Sequence, residues 1–338
     1  MDYQYLKADD FITKTIVFDY SDSLQSGHPL HICFGLDQNF LFGCGISITS
    51  ILINNKQSNF VFHLFIDNVT DEQTLKFQQL AESYQTSIEI HIINSERLQS
   101  FPTTKNWSIA TYFRFIIGDY FINREERILY MDADIMCKGD ISELFTLDLT
   151  DHVAAVVPER DASWWERRAK SLDCEALNNG YFNAGLLLLN TALWAQEHVS
   201  AKALGILSDS QMVKKLSYLD QDILNVILAG KVLFIDGKFN TQFSLNYELK
   251  DDVVNPINDQ TVFIHYIGPT KPWHEWANYP SAKAFLQAKE KSPWEKSPLM
   301  KPGNSHHARY CAKHYFKQGR MVEGMKAYVY YFYLKVLG

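Results

Sequence analysis

Cysteine is scarce in this chain of 338 residues: Cys33, Cys44, Cys137, Cys174 and Cys311 are odd in number and share no metal-site spacing. That excludes a disulfide-stapled scaffold and implies free thiols in a reducing cytoplasm. No run of about 18 uncharged apolar residues occurs, so no segment reads as a membrane-spanning helix. The opening MDYQYLKADD is polar and acidic, without the basic start or apolar core of a signal peptide. Positive charge is also short, 32 Lys+Arg against 39 Asp+Glu, which argues against nucleic acid as the main partner. Internal repeats and low-complexity segments are absent.

What charge there is lies unevenly. Residues 1–269 carry 20 Lys+Arg and 35 Asp+Glu, while residues 270–338 carry 12 and 4. An acidic body and a basic tail follow, with a boundary near 275: a catalytic unit over 1–275, its core from about 28, and an extension over 276–338. Beyond the boundary Pro280, Pro293, Pro298 and Pro302 break the chain into short pieces. Before it, apolar runs and helical periods alternate. Strands are expected at 29–35, 60–66, 87–93 and 127–131, with helices at 45–54, 71–84 and around 108–121. Strands at 153–157, 185–190, 232–235 and 261–266 are apolar enough to be central, with helices at 191–208 and 220–229. This order predicts an α/β fold around a mainly parallel sheet covered on both faces.

The stretch ERILYMDADIMCKGDISELF, 126–145, carries the densest chemistry. A hydrophobic strand ends in Asp132 and Asp134, and the small Ala133 between them lets both carboxylates turn toward one point. Paired hard oxygens at the end of a strand suit a divalent ion bridging protein to phosphates. The other reading is a surface turn in which Asp134 caps a short helix. In FGLDQNF, Asp37 and Asn39 read either as a ribose and base contact or as a turn and cap. In IHYIGPTKPWH, His265 closes a strand as a possible imidazole ligand. Gly268 there admits close backbone approach, and Lys271 can set an ammonium on a diphosphate. Asp220 in LDQDILN reads as a helix N-cap or a site residue, and Asn183 in YFNAG as a strand start or a site residue.

These elements occur together and in order. With NFLFGCGISI, TKNWSIATYFRF, NTQFSLNYELKDD and FIHYIGPTKPWH, the chain resembles the family 8 retaining glycosyltransferases, and within them the enterobacterial lipopolysaccharide core α-1,3-hexosyltransferases. The resemblance implies a GT-A type nucleotide-sugar-binding fold with a small helical C-terminal extension. It implies a UDP-glucose or UDP-galactose donor, a lipopolysaccharide core acceptor and Mn²⁺ or Mg²⁺. By the same resemblance Asp37 and Asn39 hold uridine and ribose, Arg114 contacts the donor, and Asp132, Asp134 and His265 are metal ligands. Ala133 lies between the two aspartates against the nucleotide sugar, Gly268 and Lys271 clamp the diphosphate, and Asn183, Asp220 and Gln221 face the donor sugar and the reacting carbon. Gln221 is the residue placed as nucleophile, yet an amide is a poor one, so same-face attack is the expected route to retention.

In some relatives an acidic residue after the strand matching 153–157 helps bind the acceptor; here, in VVPERDASWWERR, Pro158 stands near that place with Glu159 and Asp161 beside it, so the resemblance transfers no acceptor residue. The segment 158–175 reads as an acceptor lid through Trp164, Trp165, Arg167 and Arg168, or as a buried amphipathic helix. The basic and aromatic 305–338 reads as a surface-binding helix that places the enzyme on the cytoplasmic face of the inner membrane, or as a helix packed on the body. The rival functions are a non-catalytic UDP-sugar- or glycan-binding relative, or a family 8 transferase with a different acceptor; the first is the one the residues address. Its signature would be missing ligands, and none of Asp132, Asp134, His265 and Lys271 is missing.

Overall fold

The computed structural model of the protein describes residues 8–21, 28–104 and 108–337, so residues 105–107 of TKNWSIATYFRF lie outside it. Three nearly continuous apolar runs, β2 (Leu30–Leu36), β3 (Phe60–Ile66) and β4 (Ser87–Ile93), pair in parallel. Their residues are buried on both faces, as parallel strands under helices require. Helix α1 (Leu41–Asn54) follows β2, and α2 (Asp71–Tyr84) links β3 to β4. Thr70 and Gln73 start α2 with a reciprocal capping box.

On the far side of β2 lie β5 (Arg127–Met131), parallel to it, and then β8 (Phe182–Asn190), β7 (Ala154–Pro158) and β9 (Val232–Phe234). Strand β8 runs antiparallel to both neighbours, and β1 (Ile12–Asp19) closes the other edge antiparallel to β4. Among the described residues the eight strands run β1-β4-β3-β2-β5-β8-β7-β9. The sheet is thus mainly parallel, with one reversed strand beside the site.

The structure corrects the expected strand set in three places. The edge strand β1 exists although its sequence alternates poorly and most of it is exposed. Strand β9 is a part-exposed edge rather than a central strand. The run at 261–266 supplies β11 (Phe263–His265), which joins a separate small sheet with β10 (Thr241–Gln242) and β6 (Ile135–Cys137). That small sheet carries His265 toward the end of β5.

The remaining helices are α3 (Phe113–Tyr120), reached through a 3₁₀ turn at Ile109–Tyr112, α4 (Ser142–Phe145), α5 (Ala162–Leu172), α6 (Thr191–Gln196), α7 (Val199–Ser208), α8 (Ser210–Val213) and α9 (Leu219–Leu228). The single helix expected at 191–208 is therefore two, broken at His198 in the left-handed region with φ 52°. After them come α10 (Lys283–Glu290), α11 (Ser305–Lys317) and α12 (Met321–Leu337).

One face of the sheet packs against α1, α2 and α10, the other against α3, α7 and α9. The chain beyond 275 divides in two. Phe285, Ala288 and Trp294 belong to the main core, whereas Cys311, Ala312 and Tyr315 of α11 gather around Trp276 in a small cluster of their own.

Three strand histidines form a row across the sheet. Thr15 meets His91 at 3.0 Å, His91 meets His63 at 3.1 Å, His63 meets His31 at 2.9 Å, and His31 reaches Glu125 at 3.2 Å. The His63 and His91 rings are 10° from parallel with centroids 5.4 Å apart, so their nitrogens meet head-on. Each Nε2–H can donate to the next acceptor along the row, which satisfies the buried imidazoles internally.

Candidate active site

Strand β5 ends at Met131, and the next turn delivers the Asp-Ala-Asp triplet where the parallel strands terminate. Asp132 stays on the strand line: its N–H donates to Gly185 O of β8 at 2.8 Å. Its Oδ1 accepts from Tyr130 OH at 2.9 Å and from Arg114 Nη2 at 3.2 Å. Ala133 is buried, and its small side chain lets Asp134 fold back under the sheet end. Asp134 Oδ1 lies 3.2 Å from His265 Nε2, while its Oδ2 pairs with Lys271 Nζ. Asp134 therefore caps no helix. That alternative is removed.

His265 belongs to β11, and its Nδ1–H donates to Asn240 Oδ1 at 3.0 Å. This partner fixes the tautomer and leaves the Nε2 lone pair aimed at the two carboxylates. Nε2 is 4.0 Å from Asp132 Oδ2. Asp134 Oδ1 is buried and receives no hydrogen bond, although a charged oxygen there is costly without a positive partner. One ligand atom from each of Asp132, Asp134 and His265 falls within 4.8 Å of the others. Two carboxylates, one with an orphaned buried oxygen, and one imidazole fit a divalent cation. Burial alone would raise the Asp134 pKa, but the Lys271 ammonium against its Oδ2 holds the carboxyl well below the usual range.

Lys271 sits on the loop after β11 and also donates to Tyr266 O at 2.8 Å. Gly268 begins that loop at φ 84°, and a Cβ there would come within 2.9 Å of Ser244 Oγ. Asp37 caps the 3₁₀ turn Gln38–Phe40 through Asn39 N–H and accepts from Ser108 Oγ at 2.7 Å. Asn39 is exposed beside it. The cap reading of Asp37 is thus realised, on a turn joined to the Lys271 loop by Phe40. The Phe40 ring lies 5.9 Å from Lys271 Nζ and edge-on to Trp273 at 5.6 Å.

A second layer supports this shell. Arg114, buried at the start of α3, reaches Ala184 O at 2.6 Å and Asp220 Oδ2 at 2.9 Å. Burial opposes its charge, and Asp220, Tyr130 and Asp132 restore it. Asp220 is buried, pairs with Thr111 Oγ1 and does not cap α9. The oxygen that accepts the N–H groups of Ser217 and Tyr218 belongs to Asp222, at 2.7 and 2.8 Å. Burial pushes the Asp220 carboxyl up to about 6, against the pull of Arg114 and Thr111.

Gln221 and Asn183 meet over β8. Gln221 Oε1 accepts from Ala184 N–H at 3.1 Å and from Asn183 Nδ2 at 3.3 Å. Asn183 Nδ2 also donates to Glu159 Oε2 at 2.8 Å, and Asn183 Oδ1 accepts from Asn240 Nδ2 at 2.9 Å. The site thus includes Asn240, Tyr130 and Gly185, which sequence reading did not single out, and Glu159, one of the two acidic residues beside Pro158. Asn240 heads the quoted NTQFSLNYELKDD and Glu159 follows the strand at 153–157, so position was the available signal. The segment 158–175 holds helix α5. Trp164 and Arg168 point inward, Arg168 onto Asp222 at 2.7 Å, while Arg167 is exposed. Trp165 lies between, its Nε1–H on Glu159 O at 2.6 Å.

Residues 31–277 match the profile of Glycosyl transferase family 8, and residues 279–335 that of Glycosyl transferase family 8 C-terminal. The chain is 48% identical over 330 residues to the lipopolysaccharide 1,3-galactosyltransferase of Salmonella typhimurium, an alignment that covers 97% of this chain and 98% of that one. It is also 48% identical over 334 residues to the lipopolysaccharide glucosyltransferase WaaO of Escherichia coli, covering 98% of each. Among solved structures, the galactosyltransferase LgtC with donor and acceptor sugar analogues is similar at a TM-score of 0.64 and 22% identity, over 78% of this chain and 96% of that one. That likeness carries the fold, a GT-A type α/β architecture.

Proposed function

The chain belongs to glycosyl transferase family 8, and from that premise we propose that it moves a hexose from UDP-glucose or UDP-galactose, with retention, to the outer core oligosaccharide of lipopolysaccharide through an α-1,3 linkage. The observation that carries the reading is the convergence of Asp132, Asp134, His265 and Lys271, with Asp134 Oδ1 buried and lacking a donor. The two relatives at 48% identity bear different sugar names, so both donors enter the test.

In this reading Asp132, Asp134 and His265 hold Mn²⁺ or Mg²⁺. The bound ion supplies positive charge where the leaving diphosphate becomes more negative. Lys271 adds an ammonium on the same diphosphate, and Gly268 lets the loop backbone approach it. Asp37 and Asn39 receive the uridine and ribose. Arg114 donates to Asp132 Oδ1 and ties it to β8 through Ala184 O. Gln221 Oε1 already accepts two hydrogen bonds, which weakens it further as a nucleophile. Same-face attack is therefore the proposed route, with Asp220, Gln221 and Asn183 holding the sugar-facing wall. Asp132→Asn or Asp134→Asn should lower transfer about a thousandfold or more, since metal stabilisation of such charge is worth several kcal/mol. Activity within tenfold of the wild type would remove them from the metal site.

No helix among the described residues is long and apolar enough to cross a membrane. Helix α12 nevertheless exposes Val322, Met325, Val329, Tyr333 and Val336 along one face, with Lys326 and Lys335 nearby. An apolar stripe with basic neighbours suits an anionic lipid interface, so we place the enzyme peripherally on the inner face of the inner membrane, with 276–338 as its accessory unit. Serine at Val322, Val329 and Val336 together should abolish sedimentation with anionic vesicles. Unchanged sedimentation would contradict the placement.

A further inference from the structure

Helix α11 carries His307, Cys311 and His314 along one stripe, and that stripe faces the loop bearing Lys271 rather than solvent. His314 is fully buried, and its Nδ1 accepts from Tyr279 OH at 2.8 Å. Its Nε2–H is thereby free to donate to Asn246 Oδ1 at 3.0 Å. The same Asn246 oxygen accepts from Thr270 Oγ1 at 2.7 Å, and Thr270 immediately precedes Lys271. Burial holds His314 down to about 4, so at neutral pH it keeps this neutral arrangement of one donor and one acceptor.

The loop is gripped on its other side as well. Lys271 N–H donates to His274 Nδ1 at 3.1 Å, and the His274 ring stacks on Trp276 with centroids 4.2 Å apart. His307 packs against His274 with centroids 4.9 Å apart, and Gln318 Nε2, just past α11, donates to Trp276 O at 2.9 Å. Residues of the C-terminal extension thus back both holds on the loop, His314 through Asn246 onto Thr270 and His307 and Trp276 against His274. The main core could bury Trp276 with any apolar helix. A buried histidine with both nitrogens engaged, aimed at the residue before the lysine, serves orientation instead.

We propose that α11 is a brace for the diphosphate-facing loop, in which His314, acting through Asn246 and Thr270, is a positioning residue for Lys271. The extension is then a working part of the donor site as well as a docking surface. This rests on the reading of Lys271 as the diphosphate contact.

The test is calorimetric titration of the full chain, with Mn²⁺ present, by UDP and by UMP, which lacks the second phosphate. His314→Leu and the near-isosteric Thr270→Val should each weaken UDP about tenfold, the worth of one well-placed polar contact, and leave UMP within twofold. His314→Gln, which retains a donor toward Asn246, should recover most of the UDP affinity. Joining His314→Leu to Lys271→Ala should cost no more than Lys271→Ala alone. UDP affinity within twofold of the wild type in both folded single variants, or equal losses for UDP and UMP, would overturn the brace. If Lys271→Ala itself leaves UDP binding unchanged, the diphosphate reading of Lys271 fails, and the brace with it.

Discussion

Alanine in place of Gly185 probes the centre of the site without replacing a proposed ligand. The added Cβ would lie 2.5 Å from His265 Cε1, 2.9 Å from Asn183 Oδ1 and 3.0 Å from Asp132 Oδ2. Relaxed carbon contacts begin near 3.5 Å, so the imidazole must retreat by about 1 Å. Neither partner yields freely. Strand β8 is pinned by the Asp132 N–H bond to Gly185 O at 2.8 Å, and the ring is held by Asn240 at 3.0 Å. Overpacking of this kind costs about 1–3 kcal/mol of stability. A misplacement of about 1 Å at the reacting centre costs about a hundredfold in rate. The assay is kcat for hexose transfer together with the Mn²⁺ concentration for half-activation, both measured well below the variant's melting temperature. We expect kcat to fall about a hundredfold and the Mn²⁺ requirement to rise by 10–100-fold, as for other disturbances around metal ligands. A kcat within threefold of the wild type at an unchanged Mn²⁺ requirement would refute the proposed ligand geometry.

Two further expectations concern the supporting layer. Asp220 has a folded-state pKa of about 6, above the ordinary aspartate value near 3.9, so its stabilising contribution is complete below pH ~4 and is lost as pH rises through ~6, in all about 3 kcal/mol. Asp220→Asn should flatten the fall in urea-unfolding free energy across that window, and parallel pH profiles for variant and wild type would contradict the assignment. Arg168→Met leaves the fully buried Asp222 without its cation and should cost about 3–5 kcal/mol in urea unfolding. A loss under about 1 kcal/mol would show that the Tyr181 hydroxyl, which donates to Asp222 Oδ1 at 2.6 Å, and the N–H groups of Ser217 and Tyr218 suffice.

Much of this was legible in the sequence where the physics is local. Apolar runs closed by turn residues located β3, α2 and β4 at their observed ends, because period and capping are written within a few residues. The Asp-Ala-Asp triplet could be read for the same reason: one strand end and one small spacer place both carboxylates. The direction of β8 was not legible, since GLLLLN is equally apolar whichever way it runs between buried neighbours. Nor was the small sheet, whose strands are two or three residues long and exist through long-range pairing. Asp220 and Asp222 look interchangeable in LDQDILN. Only the fold shows that Asp222 accepts the N–H groups of Ser217 and Tyr218 before α9, while Asp220 turns to Arg114 and Thr111. Asn240 and Glu159 owe their place to contacts with residues far along the chain, 57 positions from Asn240 to Asn183 and 24 from Asn183 to Glu159, and no local spacing encodes those.

The most direct measurement incubates the full chain with Mn²⁺, truncated core lipopolysaccharide and either UDP-glucose or UDP-galactose, and follows transfer with and without EDTA. The account predicts transfer from one donor, abolished by EDTA, restored by Mn²⁺, and giving an α-linked product. Transfer that survives EDTA, or a β-linked product, would contradict it.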